Sequence, residues 1–150
     1  MAKFSKIRVA KAVFDTAGTD SAGVANTTIA AHGTGVVIPS GAIVRRAYYV
    51  VNTTFTTAND SGTIALSVEG ANDLTAAIAI SDATNVWDSG AHACLPGNFA
   101  LDGNALTAIA SAAATAASYV RTTANRELKA TVAVQALTAG KLTLFVEYVF

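Results

Sequence analysis

Apolar and polar residues alternate most clearly near the C-terminus. In the run RELKATVA at 126–133, Leu128, Ala130 and Val132 alternate with other side chains, and the run KLTLFVEYV at 141–149 is rich in strand-forming residues. A period of two is the period of a β-strand. The glycine-containing stretch LTAG at 137–140 lies between the two runs, so the pattern predicts a C-terminal β-hairpin.

The second of these runs is apolar on both of its faces. Leu142, Leu144 and Val146 share one face, whereas Phe145 and Val149 lie on the other. A strand with two apolar faces is covered on both sides. The pattern therefore predicts a strand at the centre of an all-β domain, covered by a second sheet or by another subunit.

Further strands are predicted throughout the chain, separated by clusters of Gly, Asn, Asp, Ser and Pro. The segments with strand character are 5–14, 27–32, 35–38, 42–55 and 63–69, and the last two are predicted to form a second hairpin. Asp73, followed by Leu74, Ala77 and Ile78 at helical spacing, predicts a short helix over 73–80. The alanine-rich stretch 105–117 is predicted as a strand or an irregular crossing. About seven to nine strands with turns between them predict one domain over residues 1–150, a jelly-roll-like β-sandwich.

The composition supports a packed domain and excludes several function classes. Of the 150 residues, 52% are hydrophobic and 13% charged, against a typical charged share of about 25%. Such a chain is not disordered, and its weakly charged surface suits coverage by neighbouring copies or partners. The net charge is zero, which argues against a nucleic-acid partner. The most apolar window, 105–117, is too short to span a bilayer, so no membrane partner is expected.

The residues that could carry chemistry form no recognisable site. His32, His92 and Cys94 are candidate ligands, but no CxxC, HxxxH or acidic partner accompanies them. The turns at 59–62 and 102–104 could hold Ca²⁺, although ordinary β-turns explain them better. No nucleophile motif is present either. The sequence therefore predicts no metal, no cofactor and no enzymatic activity.

Interface residues are expected among exposed arginine and aromatic side chains, which are common anchors of protein interfaces. Strand alternation places Arg45 and Arg46 on opposite faces, with one exposed and the other paired or at an interface. The full set of predicted interface residues is Arg45, Arg46, Tyr48, Tyr49, Trp87, Tyr148 and Phe150.

Two segments resemble small virion structural proteins of tailed bacteriophages. They are residues 51–74, which contain VNTTFTT and ALSVEGANDL, and residues 126–149, RELKATVAVQALTAGKLTLFVEYV. The resemblance implies a jelly-roll decoration or cement protein of the phage head. It implies no catalytic residue.

The resemblance leads to a set of expectations about function. We expect a homotrimer, made in the host cytoplasm, that binds the major capsid protein on the outer surface of the head. The alternative is a spike, fibre or receptor-binding module that holds glycans through exposed aromatics such as Trp87. A small hydrolase that uses His32 or His92 is a third hypothesis.

Overall fold

The computed structural model describes residues 6–94 and 120–150, and this part of the chain contains nine β-strands and no helix. The prediction for 105–117 lies outside the described residues. The strands are β1 Ile7–Asp15, β2 Ala31–Ile38, β3 Ile43–Thr57, β4 Thr63–Ser67, β5 Ile78–Ala79, β6 Gly90–Cys94, β7 Val120–Arg121, β8 Arg126–Ala133 and β9 Leu137–Val149. The predicted strands at 27–32 and 35–38 are one strand, β2, with a register shift between Gly33 and Val37.

The strands form two antiparallel sheets that pack face to face. One is a five-stranded sheet in the order β1-β9-β3-β6, with β7 beside β3, and the other is a four-stranded sheet in the order β2-β8-β4-β5. The pairing is nested along the chain, because β1 pairs with β9, β2 with β8, β3 with β6 and β4 with β5. This arrangement is a β-sandwich of two antiparallel sheets, which confirms the predicted all-β sandwich.

Both predicted hairpins are wrong. β8 lies in the four-stranded sheet between β2 and β4, and β9 lies in the five-stranded sheet between β1 and β3. β3 and β4 are likewise in different sheets. Each of these strands buries one apolar face between the sheets. The same face would be buried whichever sheet the strand joined, so the pattern does not determine the sheet. The crossing from β8 to β9 occurs at Val134, whose φ of 67° turns the chain sharply.

The core between the sheets is built around a cluster of aromatic rings. Phe14 stacks on Phe55 at 6.0 Å between ring centroids, and Tyr49 lies 5.4 Å from Trp87. Trp87 also meets the edge of Phe55 at 6.2 Å. All four residues are buried, and β9 contributes Leu142, Leu144 and Val146 from its inner face. β9 is therefore a central strand, as its two apolar faces predict.

The predicted helix over 73–80 is absent. The Asp73 carboxylate accepts hydrogen bonds from the backbone N–H groups of Val68, Glu69 and Gly70 at 2.8, 2.8 and 2.9 Å. A carboxylate that accepts hydrogen bonds from three backbone N–H groups earlier in the chain closes a turn. It does not cap a helix that begins after it. The chain then runs back along β4, and residues 78–79 pair with it as β5.

Candidate interaction surface

The outward face of the five-stranded sheet is unusually apolar. Cross-strand register brings Ile7, Val149 and Ile43 into one row, and Val13, Thr143 and Val50 into another. Ile7, Val9 and Val13 are 55%, 57% and 45% exposed. We call this surface the apolar face; its members on β1, β9 and β3 are Ile7, Val9, Lys11, Val13, Phe145, Glu147, Val149, Ile43, Arg46, Tyr48 and Val50. An exposed cluster of this kind is a common mark of a protein interaction site.

Aromatic side chains on and beside this face are held in place by their neighbours. Tyr48 and Phe145 stack across β3 and β9 with ring centroids 5.0 Å apart and an interplanar angle of 15°. The Arg46 guanidinium lies 5.1 Å from the centroid of the Tyr48 ring, and that of Arg8 lies 5.6 Å from the Phe150 ring. Such contacts fix the side chains before any partner arrives, which lowers the entropy cost of binding.

The outward face of the four-stranded sheet is different in character. Its residues on β4 and β8 are small or polar, namely Thr63, Ala65, Ser67, Lys129 and Thr131. Lys129 is exposed on this face, Thr63 and Thr131 are half-buried, and Ala65 and Ser67 are buried. By contrast, the outward face of the five-stranded sheet carries large aliphatic and aromatic side chains.

The predicted interface residues divide into two groups. Arg45 and Arg46 are both exposed, so the prediction of opposite faces is wrong. The register of β3 against β9 shifts between Val44 and Arg46, and this bulge turns both arginines outward. Tyr48 is half-buried on the apolar face and Phe150 is exposed, whereas Tyr148 is half-buried and packs against the core.

Tyr49 and Trp87 cannot form an interface in the folded chain. They are 0% and 1% exposed, so their proposed contact roles are wrong. The Tyr49 hydroxyl donates to the Val86 carbonyl at 3.0 Å, and the Trp87 indole N–H donates to the Ile78 carbonyl at 2.9 Å. Burial raises the pKa of the Tyr49 phenol, which keeps it neutral. Both side chains stabilise the core and satisfy their polar atoms within it.

A polar groove of about 420 Å³ lies beside the four-stranded sheet. At its edge, Arg126 binds Glu69 in a bidentate pair, with Nε–Oε2 and Nη2–Oε1 distances of 2.9 Å. Thr123 donates to the same carboxylate through both its backbone N–H and its hydroxyl, at 3.1 and 2.5 Å. The Arg126 guanidinium, followed by Thr123, lowers the pKa of Glu69 to about 2. This cluster joins the chain before β8 to the end of β4, and its donors and acceptors are already paired.

The candidate ligands His32, His92 and Cys94 are not brought together. His32 is fully buried on β2, and its Nδ1 and Nε2 atoms contact an Asp20 carboxylate oxygen at 3.0 Å and the Thr28 carbonyl at 2.8 Å. His92 lies on β6, in the other sheet, where its Nε2 atom is 2.9 Å from the Asp88 carbonyl oxygen. Burial raises the pKa of the Cys94 thiol. Across residues 6–94 and 120–150, no group of three His, Cys, Asp or Glu side chains could hold a metal ion.

Charge is distributed unevenly although the total is zero. The strands of the five-stranded sheet carry six basic residues, Arg8, Lys11, Arg45, Arg46, Arg121 and Lys141, and two acidic ones, Asp15 and Glu147. The other described residues include three basic side chains, Lys6, Arg126 and Lys129, and seven acidic ones: Asp20, Asp60, Glu69, Asp73, Asp82, Asp88 and Glu127. Net charge alone hides this separation. It becomes visible when each strand is assigned to its sheet.

Comparison with known proteins gives a fold relationship. No protein-family model matches the sequence, and no curated protein matches it. A chain of the acidic stable capsid of Helicobacter pylori bacteriophage KHP30 is similar in structure, with a TM-score of 0.58 and 15% identity over 97% of this chain and 89% of that chain. A chain of the capsid asymmetric unit of cyanophage Pam1 has a TM-score of 0.57 and 20% identity, over 100% and 89% respectively. The sandwich is thus a fold that two phage capsids contain.

Within the described residues, no helix is long and apolar enough to cross a membrane.

Proposed function

We propose that this protein is a virion structural protein of a tailed bacteriophage that decorates and cements the head. The observation that carries the proposal is the apolar face, because a large apolar surface on the outside of a sandwich is commonly covered by a partner. Its action is adhesive. It buries apolar area against the shell and adds contacts that oppose the internal pressure of a filled head.

The full-length structural likeness supports this role. The alignments cover nearly all of this chain and 89% of each capsid chain, so the counterparts are whole chains of similar size. The counterpart of this protein in each capsid is therefore a small sandwich and not one domain of a much larger chain. A small component with this fold suits an accessory position on a shell made by another protein, the major capsid protein.

The remaining parts of the proposal concern assembly and position. We place the protein on the outer surface of the head as a homotrimer bound to the major capsid protein. Arg45, Arg46, Tyr48 and Phe150 are exposed or half-exposed and stay within the proposed contact region. Tyr148 lies at the same end of β9 as Phe150, on the side that packs against the core.

The residue expected to anchor a glycan in the glycan-binding alternative is not accessible in this structure. Trp87, the expected anchor, is buried and its indole N–H is used inside the core. A stacking platform for a sugar needs an accessible ring face. The hydrolase hypothesis is weakened in the same way, because His32 is enclosed between Asp20 and Thr28.

Co-sedimentation tests the proposed function. The purified chain is mixed with mature heads and with unexpanded heads of the phage that encodes it, both prepared without this protein. We expect saturable binding to the mature heads, and we expect the free chain to sediment as a trimer. A chain that binds neither kind of head would overturn the proposal.

A further inference from the structure

We propose that the apolar face is the surface that docks on the shell, and that it recognises an apolar surface rimmed by acidic side chains. This inference rests on the proposed function and adds to it both a surface and the chemistry of the partner. The choice of surface follows from its composition, its size and its charge.

The size of the apolar face suits a specific interface. It spans three strands at a spacing of about 4.8 Å and roughly nine residues at about 3.4 Å each, which gives roughly 440 Å² of flat area. A standard protein interface buries about 800 Å² on each partner. The apolar face therefore accounts for about half of such an interface, which suits an apolar core within a wider polar rim.

The charge of the face determines the partner chemistry. Lys141 and Asp15 pair with each other at 3.2 Å, and Glu147 lies opposite Arg46 on the neighbouring strand. Lys11 and Arg45 form no ion pair with any other described residue. The face therefore presents uncompensated positive charge around an apolar centre. Acidic side chains at the rim of the partner would complement it and accelerate docking.

A second copy of this chain fits the face poorly. A two-fold contact would bring the apolar faces of both copies together, and two surfaces with the same excess of positive charge repel each other. The outward face of the four-stranded sheet, on the opposite side of the sandwich, carries both Lys129 and Glu127 and so offers no excess of acidic charge. Contacts between opposite faces repeat by translation and produce an open stack, not a closed assembly. Docking on the shell avoids both the contact between like charges and the open stack, so we assign the shell as the occupant of this face.

Variants of single exposed residues test this assignment in the co-sedimentation assay with mature heads. Lys11→Glu reverses a charge on the apolar face, and Lys129→Glu makes the same change on the outward face of the four-stranded sheet. Val9→Ser removes an apolar group, and Val37→Ser is its control on β2, since the two valines are 57% and 51% exposed. All four positions are exposed, and thermal unfolding confirms that each variant is folded.

We expect Lys11→Glu and Val9→Ser to weaken binding to heads about tenfold or more, while both controls stay within about twofold of the wild type. Wild-type affinity should fall as salt increases, because charge contributes to docking. If the wild type binds but all four variants bind equally well, the docking assignment is overturned and the proposed function survives. If Val9→Ser changes the sedimentation size of the free chain and not its binding to heads, the face contacts a second copy and the docking assignment is again overturned. If the wild type does not bind heads, both proposals fail.

Discussion

The ring of Phe55 on β3 lies directly against the α-carbon of Gly140 on β9. A Cβ atom at position 140 would overlap the Cγ and Cδ1 atoms of that ring. Gly140 also has a φ of 138°, a conformation that side-chain-bearing residues rarely adopt. This glycine therefore lets β9 pass close beside the Phe55 ring.

Gly140→Ala should destabilise the protein by about 3 kcal/mol, from overpacking against Phe55 and from backbone strain. Chemical denaturation measures the free energy of unfolding. Gly23→Ala is the control, because Gly23 has a φ of 82° but a Cβ added there would meet no atom within 4 Å, so it tests backbone strain alone. We expect a loss of about 1 kcal/mol there. Equal losses in the two variants would show that the contact with Phe55 does not affect the free energy of unfolding.

Trp87→Ala should reduce stability by about 3–5 kcal/mol, because it leaves a large cavity between Tyr49 and Phe55. Trp87→Phe should cost less, since it keeps a ring and loses the hydrogen bond to the Ile78 carbonyl. Below its unfolding temperature, the Phe variant should bind heads as the wild type does. Normal stability combined with lost binding would contradict the buried position of this side chain.

Stability should fall in acid partly through Glu69. Its pKa is lowered from 4.5 to about 2 in the folded chain, chiefly by the Arg126 guanidinium. A lowered carboxyl pKa stabilises the fold above the unfolded value, and this contribution is lost as pH falls toward the folded value. Glu69→Gln should therefore lessen the decline in stability between about pH 4.5 and pH 2. Denaturation midpoints across that range measure it, and parallel curves for variant and wild type would refute the assignment.

The positions of the long strands β1, β3, β8 and β9 and of β4 could be predicted from the sequence, because alternation and turn residues record local backbone preferences, whereas the short strands β5 and β6 were not predicted. The partner of each strand could not be predicted. Leu128, Ala130 and Val132 on β8 bury equally well in either sheet, so periodicity does not distinguish a hairpin from a crossing between sheets. The crossing itself carries no glycine or proline. It turns at Val134, a β-branched residue with positive φ, which no turn signal in the sequence marks.

The candidate surface was predictable only in part, for a related reason. Tyr48 and Tyr49 are adjacent in sequence and lie on opposite faces of β3, and the sequence does not say which face is buried. Arg45 and Arg46 both point outward because of a bulge that depends on the pairing with β9. The separation of charge depends on the same long-range pairing, since it appears when basic strands from both ends of the chain join one sheet.

The stability of the heads themselves tests the central claim most directly. Mature heads filled with DNA and lacking this protein are heated with and without a saturating amount of the wild-type chain, and the temperature of DNA release is recorded. A cement protein binds the intact shell in preference to the opened one, so bound protein raises that temperature. We predict a clear upward shift with the wild type and a smaller one with Lys11→Glu at the same concentration. Release at an unchanged temperature from heads saturated with the protein would contradict the cement function.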